Sequence, residues 1–157
     1  MTQYLTQEGL QEIQAELKDL KEVRLPEVLD ALSRARAEGD LRENAAYETS
    51  KALQEQIQTR VAELEEVLVS FELIQDKTGA AKRVEIGTTV EIEYQNLETK
   101  PNYTMKIVGT SEANAFKNTI SLDSPVSVAI LGKQVDDMVT FKVKGKEMIV
   151  KILKISY

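Results

Sequence analysis

Two apolar stripes with helical spacing, separated by one short charged break, constrain this chain more than any other feature. The first runs Leu10, Ile13, Leu17, Leu20 and resumes at Val28, Leu32 and Ala35; the second runs Leu53, Ile57, Val61, Leu64, Leu68 and Phe71. Steps of three and four residues put each set on a single helix face. Helices joined by a short break pair as an antiparallel hairpin, and facing residues then have a constant sum of residue numbers. That sum is 84 for Ile13 with Phe71 and 85 for Leu17 with Leu68, Val28 with Ile57 and Leu32 with Leu53. The register therefore centres the turn between Arg42 and Glu43. It also sets two 11-residue steps, Leu17 to Val28 and Leu53 to Leu64, opposite each other as stutters. Pro26 lies in the first of them and predicts a kink, because it removes a backbone donor.

At a rise of ~1.5 Å per residue the arm from Thr6 to Arg36 reaches about 45 Å. A compact domain of 157 residues does not need such a length. The end of the arm, Ala35-Arg-Ala-Glu-Gly-Asp-Leu-Arg-Glu-Asn-Ala-Ala-Tyr47, is correspondingly the place to look for function. Gly39 suits a turn, and Asp40 with Glu43 has the spacing of an acidic capping box, so both have structural uses. Leu41 is apolar at an exposed tip and wants a partner, while Asn44 and Tyr47 add hydrogen-bonding and stacking groups.

Charge divides along the same line. Residues 1–78 carry 17 acids and 9 bases, a balance of −8, whereas residues 79–157 carry 9 acids and 11 bases, a balance of +2. Within residues 31–54 the acids Glu38, Asp40, Glu43 and Glu48 are matched by Arg34, Arg36, Arg42 and Lys51. The shaft is acidic and its end is neutral. Such an end can approach phosphates, with Arg36, Arg42 and Lys51 steering and two carboxylates left for a cation.

Absent residue types narrow the chemistry further. The chain has no Cys and no His, which excludes a disulfide framework, a thiolate nucleophile, a Cys-type zinc site and the commonest general base. Metal binding must use oxygen ligands, as Mg²⁺, Mn²⁺ or Ca²⁺ do. No apolar run approaches the roughly 20 residues of a membrane span, and MTQYLTQEGL lacks the regions of a signal peptide, so a cytoplasmic location is expected. The acidic balance argues against independent duplex binding.

Beyond Thr78-Gly-Ala-Ala-Lys82, read as a linker, the period changes to two. Val90, Ile92 and Tyr94 alternate with Glu91 and Glu93; Tyr103, Met105 and Ile107, then Val139, Phe141 and Val143, and finally Met148–Ile155 repeat the pattern. Lys144-Gly-Lys146 is a hairpin turn by composition. Ser124 and Pro125 form an N-cap and N1 pair that opens a short helix ending at Gly132.

The sequence resembles the Gre family of bacterial transcript-cleavage factors, in its GreA type. Leu25-Pro26-Glu27, the run Gly39-Asp-Leu-Arg-Glu-Asn-Ala-Ala-Tyr47 and Lys51 carry the resemblance in the hairpin. Ile107-Val-Gly-Thr-Ser-Glu-Ala113, Ile120-Ser-Leu-Asp-Ser-Pro-Val126 and Ala129-Ile-Leu-Gly-Lys133 carry it in the second half, so it covers essentially the whole chain. Ser127-Val128 departs from a family pattern of a small and often a basic residue, and Asp136-Asp137 stands where many members have Gly-Asp.

The resemblance implies an α+β fold. An N-terminal coiled-coil hairpin (1–77, tip about 37–47) would be followed by a linker (78–83) and an FKBP-like antiparallel sheet domain with one short helix (84–157). It implies a factor that is not itself an enzyme and that binds bacterial RNA polymerase as a monomer. The hairpin would enter the secondary channel and stimulate the polymerase's own cleavage of the 3′ end of backtracked RNA. Asp40 and Glu43 would direct a Mg²⁺ ion shared with the polymerase. Arg36, Leu41, Arg42, Asn44, Tyr47 and Lys51 would support the tip or contact RNA, and Ser124, Pro125, Leu131 and Gly132 would belong to the docking surface. No membrane and no sequence-specific DNA contact is implied. Two other readings share the fold: a homologue that enters the channel and inhibits, and a coiled-coil adaptor with an inert tip. Prolyl isomerase activity is disfavoured, since this module has no Trp and only Tyr94, Tyr103, Phe116, Phe141 and Tyr157 as aromatics.

Overall fold

A heptad stripe that is continuous on one helix and interrupted on the other shapes the first half of the molecule. The computed structural model describes residues 2–39 and 44–157. After strand β1 (Gln3–Leu5), helix α1 (Gln7–Asp19) runs into a π-helical segment (Leu20–Arg24), and α2 (Leu25–Ala37) continues from it. Helix α3 (Ala45–Val69) forms the second arm and is followed by β2 (Phe71–Leu73), which pairs with β1.

The interruption is smaller and more local than the stutter expected from sequence. Leu20 and Leu25, both half-buried and packed against Val28, Leu32 and Ile57, are five residues apart where an α-helical heptad would place them four apart. One wide turn absorbs the extra residue, with the Leu25 N–H bonded to the Leu20 carbonyl. Pro26 then falls in the first turn of α2, where a missing N–H costs little.

On the second arm the structure corrects the sequence reading. Leu53 is 44% exposed, and the buried side of α3 instead carries Tyr47, Ser50, Gln54, Ile57, Val61, Leu64 and Leu68. That series is an unbroken alternation of three and four. The 11-residue step was produced by choosing the apolar Leu53 over its neighbour Gln54, so α3 has no stutter and nothing faces the π turn in kind. Leu32 does not face a buried Leu53; its cluster is completed by Val28 and Ile57.

The second half is a five-stranded sheet in the order β5-β4-β3-β7-β6. Its strands are β3 (Thr89–Tyr94), β4 (Asn102–Val108), β5 (Thr119–Ser121), β6 (Met138–Val143) and β7 (Lys146–Ser156), with α4 (Pro125–Ile130) between β5 and β6. All neighbours are antiparallel except β4 and β5, which run parallel, so the sheet is mixed rather than purely antiparallel. Val90, Ile92, Ile107, Val139, Phe141, Val150 and Ile152 project from one face onto Val126 and Ile130 of α4, and these residues form the core. Tyr103 leaves that pattern: it is exposed and meets Tyr94 edge-on with ring centroids 5.6 Å apart. Between β6 and β7 the turn has positive φ at both Lys144 (49°) and Gly145 (80°), the geometry of a two-residue hairpin.

Two compact units result, residues 10–71 and residues 1–9 with 72–157. The boundaries differ from the expected 1–77 and 84–157 division because β1 and its flanks are tied into the second unit. Tyr4 approaches so closely that a Cβ on Gly109 would lie 1.8 Å from its carbonyl oxygen. The stretch read as a linker is also part of that unit. Ala81 N–H bonds to the Ile155 carbonyl (3.3 Å), Tyr157 N–H bonds to that of Gly79 (2.8 Å), and Ala81 and Val84 are buried. Of its small residues, Ala81 is buried and Ala80 forms a β-bridge with Ser156 of β7. No helix among the described residues is long and apolar enough to cross a membrane.

Candidate functional site at the end of the hairpin

The functional interest of the hairpin lies where its two arms end. Helix α2 closes at Ala37, Glu38 remains helical in its dihedrals, and Gly39 has a φ of 136° that side chains rarely adopt. Helix α3 then opens at Asn44, whose extended backbone and side-chain acceptor make it the N-cap. The helix start therefore belongs to Asn44 and not to Asp40. Asp40, Leu41, Arg42 and Glu43 lie outside the described residues.

Four of the residues expected at the tip, Arg36, Asn44, Tyr47 and Lys51, frame that break. Asn44 Oδ1 accepts the Tyr47 N–H at 3.1 Å, and its Nδ2 donates to the Ala35 carbonyl at 2.7 Å, so one side chain touches both arms. Tyr47 is half-buried against the Val28, Leu32 and Ile57 cluster, with the Arg36 guanidinium 5.7 Å from its ring centre. Lys51 reaches the Gln54 side-chain oxygen at 3.4 Å.

The electrostatics of shaft and end differ in the same sense as the sequence counts. On the shaft, bases are held by acids. Arg60 grips Glu16 with two bonds, at 2.7 and 3.0 Å, and reaches Glu63 at 3.3 Å; Lys21 pairs with Glu65, and Arg24 with Asp19 at 3.4 Å. The Glu16 carboxylate is the main cause of an Arg60 pKa raised above its ordinary value. Near the end, the partners of Arg36 and Lys51 among the described residues are a tyrosine ring and an amide, both neutral. These pairs are all exposed, and each contributes at most about 1 kcal/mol.

The four docking candidates of the second half all have local structural roles. Ser124 Oγ accepts the Ser127 N–H at 3.3 Å and donates to Ser127 Oγ at 2.8 Å, capping α4, and Pro125 follows at N1. Leu131 N–H closes the helix on the Ser127 carbonyl, and Gly132, at φ 76°, donates to the Val84 carbonyl at 2.8 Å. Ser127 is fully buried, which explains a small residue there, while Val128 and Pro125 are exposed.

Residues that the sequence reading passed over hold the second unit together. Thr6 donates its N–H and its hydroxyl to the two carboxylate oxygens of Glu112, at 2.7 and 2.6 Å. Glu85 accepts from Tyr157 Oη at 2.5 Å and Lys77 Nζ at 3.0 Å. Gly109 and Glu112 lie within Ile107–Ala113, one of the segments that carry the family resemblance. Nothing local marked Thr6, Glu85 or Tyr157, since each pair is joined only by the fold.

Comparison with known proteins agrees across both halves. Residues 3–73 match the family described as transcription elongation factor, N-terminal, and residues 79–157 match transcription elongation factor, GreA/GreB, C-terminal. The chain is 43% identical to the transcription elongation factor GreA of Mycoplasma pneumoniae over 154 residues, covering 96% of this chain and 95% of that one. Against GreA of Bacillus subtilis it is 40% identical over 152 residues, covering 97% and 95%. Among solved structures it is similar to the GreA factor homolog 1 protein of Thermus thermophilus, at 23% identity, 99% coverage of both chains and a TM-score of 0.46. With both halves matched and relatives of this identity aligned nearly end to end, the chain belongs to the GreA/GreB family of transcription elongation factors.

Proposed function

We propose that this protein binds bacterial RNA polymerase, enters the secondary channel with its hairpin and stimulates the polymerase's own cleavage of backtracked RNA. The single observation that carries the reading is the intact run Gly39-Asp-Leu-Arg-Glu-Asn-Ala-Ala-Tyr47, set at the join of two paired helices. In support, the shaft bases Lys21, Arg24 and Arg60 pair with acids, while among the described residues the partners of Arg36 and Lys51 are neutral. Arg36 and Lys51 would steer the extruded RNA phosphates, Asn44 and Tyr47 would hold the tip, and Leu41 and Arg42 would contact its surroundings. The surface around Ser124, Pro125, Leu131 and Gly132 would dock the second unit on the polymerase.

Asp40 and Glu43 offer hard oxygen donors, which fits Mg²⁺. Two carboxylates do not fill the coordination shell of Mg²⁺, so the ion would be shared with the polymerase's own ligands. Bound there, it would activate water and stabilise charge on the reacting phosphate. Two carboxylates make a weak Mg²⁺ site alone, and the isolated chain would accordingly be no nuclease. It would act in the cytoplasm, as a monomer, without reading DNA sequence.

The test uses a stalled elongation complex with end-labelled RNA. Wild-type protein should shorten the transcript from its 3′ end, and Asp40→Ala or Glu43→Ala should reduce that stimulation at least tenfold with polymerase binding retained. Cleavage at the wild-type rate in both variants would defeat the metal-directing reading. Blocked nucleotide addition without cleavage would make the protein an inhibitor, and no effect on the complex would make it an adaptor.

A further inference from the structure

Two helix ends meet at the hairpin tip, and each brings backbone groups that its own helix cannot satisfy. The last four carbonyls of α2 have no intrahelical donor, and Ala35 is one of them; the first N–H groups of α3 have no intrahelical acceptor. Either could be satisfied by a separate side chain or by water. Here Asn44 serves both at once, with Nδ2 on the Ala35 carbonyl at 2.7 Å and Oδ1 on the Tyr47 N–H at 3.1 Å. Only an amide carries a donor and an acceptor at that separation on so short a stem.

We infer that Asn44 is a positioning residue, a latch that fixes the two ends of the acid-bearing segment to each other and so sets where Asp40 and Glu43 can be delivered. Three features favour this over ordinary capping. A Ser, Thr or Asp at this position would cap α3 as well as Asn does, yet Asp has no donor and a Ser or Thr hydroxyl has one oxygen where Asn44 uses two separate atoms, Oδ1 for the cap and Nδ2 for the bond to α2. The acceptor residue, Ala35, is buried. Tyr47, the far end of the latch, is pinned by the apolar cluster below and by the Arg36 guanidinium above. The bridge therefore joins a buried residue of α2 to a half-buried turn of α3, and two elements tied by a side chain hold their relative placement more closely than two that are not.

This inference rests on the cleavage reading for its consequence but not for its geometry, and the experiment separates the two. Asn44→Ser and Asn44→Asp retain a cap acceptor and remove the amide N–H group that crosses to Ala35; the first adds no charge and the second is nearly isosteric. Because the chain has no Cys, spin labels can be placed uniquely at Ala37→Cys and Ala46→Cys. The interlabel distance distribution should be narrow with Asn44 and at least twofold broader in both variants, while the far-ultraviolet helix signal is unchanged. On stalled complexes, both variants should stimulate cleavage at least tenfold less at saturating protein and need more Mg²⁺, with half-saturating concentrations within twofold of wild type. An unchanged distance distribution overturns the latch, as does full cleavage at saturation. If the wild-type protein stimulates no cleavage, the proposed function falls and the distance distribution alone decides the latch.

Discussion

The carboxylate of Glu112 is gripped at both oxygens by one residue, Thr6, through its backbone N–H at 2.7 Å and its hydroxyl at 2.6 Å. The same hydroxyl accepts the Gly9 N–H at 3.0 Å, so the start of α1 and the N-terminal strand are tied to a residue over a hundred positions away. Hydrogen bonds to a charged group are worth roughly 1.5–3 kcal/mol each where partly buried. Glu112→Ala should lower unfolding stability by about 3 kcal/mol, and Glu112→Gln, which keeps one acceptor, by about half as much. Urea unfolding of the full chain followed by circular dichroism measures both. Equal stability of Glu112→Ala and wild type would show that the contact is spent on order and not on stability.

The hairpin seam makes a prediction that apolar spacing alone would reverse. Ile57→Ala removes a side chain that is 6% exposed and should cost about 2–4 kcal/mol, the range for large-to-small changes in a core. Leu53→Gln changes a side chain outside the seam and should stay within about 0.5 kcal/mol of wild type. Thermal melts of the two variants decide whether the seam runs through Gln54 or through Leu53.

Asp136 has a φ of 72°, a conformation that costs side-chain-bearing residues energy and glycine none. Its N–H donates to the Ile152 carbonyl at 2.8 Å, and Asp137 turns back to accept the Gln134 N–H at 2.8 Å, which fixes this turn beside β7. Asp136→Ala should destabilise by about 1 kcal/mol, whereas Asp136→Gly should be nearly neutral, because relief of backbone strain offsets the added freedom of the unfolded chain. The pair at 3.7 Å between Asp136 and Lys151 is exposed and adds little. Chemical denaturation of both variants reads the difference.

Glu85 titrates below its ordinary value of 4.5, chiefly because Tyr157 donates to it and secondly because Lys77 does. A depressed carboxylate binds fewer protons in the folded state than in the unfolded one. Stability from this group is therefore present above the unfolded pKa and is lost as pH falls from about 4.5 through the lowered folded value. In Tyr157→Phe the Glu85 pKa should move up towards normal and the acid limb of the stability curve should flatten. Carbon-detected titration of the Glu85 carboxylate gives the first, and melts between pH 2 and 5 give the second. An unmoved Glu85 pKa would assign the depression to Lys77.

What was legible in the sequence follows from how local each feature is. Helical spacing showed two arms and a tip because a helix repeats its exposure every few residues. Period-two alternation likewise found the long strands of the sheet, and Ser124-Pro125 marked a helix start within a few bonds. Leu53 misled for the same reason: hydrophobicity ranks residues one at a time, while the seam of α3 is chosen by its continuity, and a half-buried Gln54 preserves the heptad where Leu53 would break it. The three-residue strand β5 carried too little pattern to be read, and its parallel pairing with β4 depends on the chain's return path.

By itself the sequence determined the fold class, the two arms, the charge contrast between shaft and end, and the residues at which chemistry is to be sought. Local backbone preference and periodic burial require no distant partner to be expressed. Tertiary structure decided everything that needs two remote segments to meet. It took up the extra residue of the first arm in a π turn, tied Thr6 to Glu112, drew the supposed linker onto β7 and set the Asn44 side chain across to Ala35. Those outcomes depend on hydrogen-bond donors and acceptors brought within about 3 Å of each other, and no spacing along one chain specifies which of them will meet.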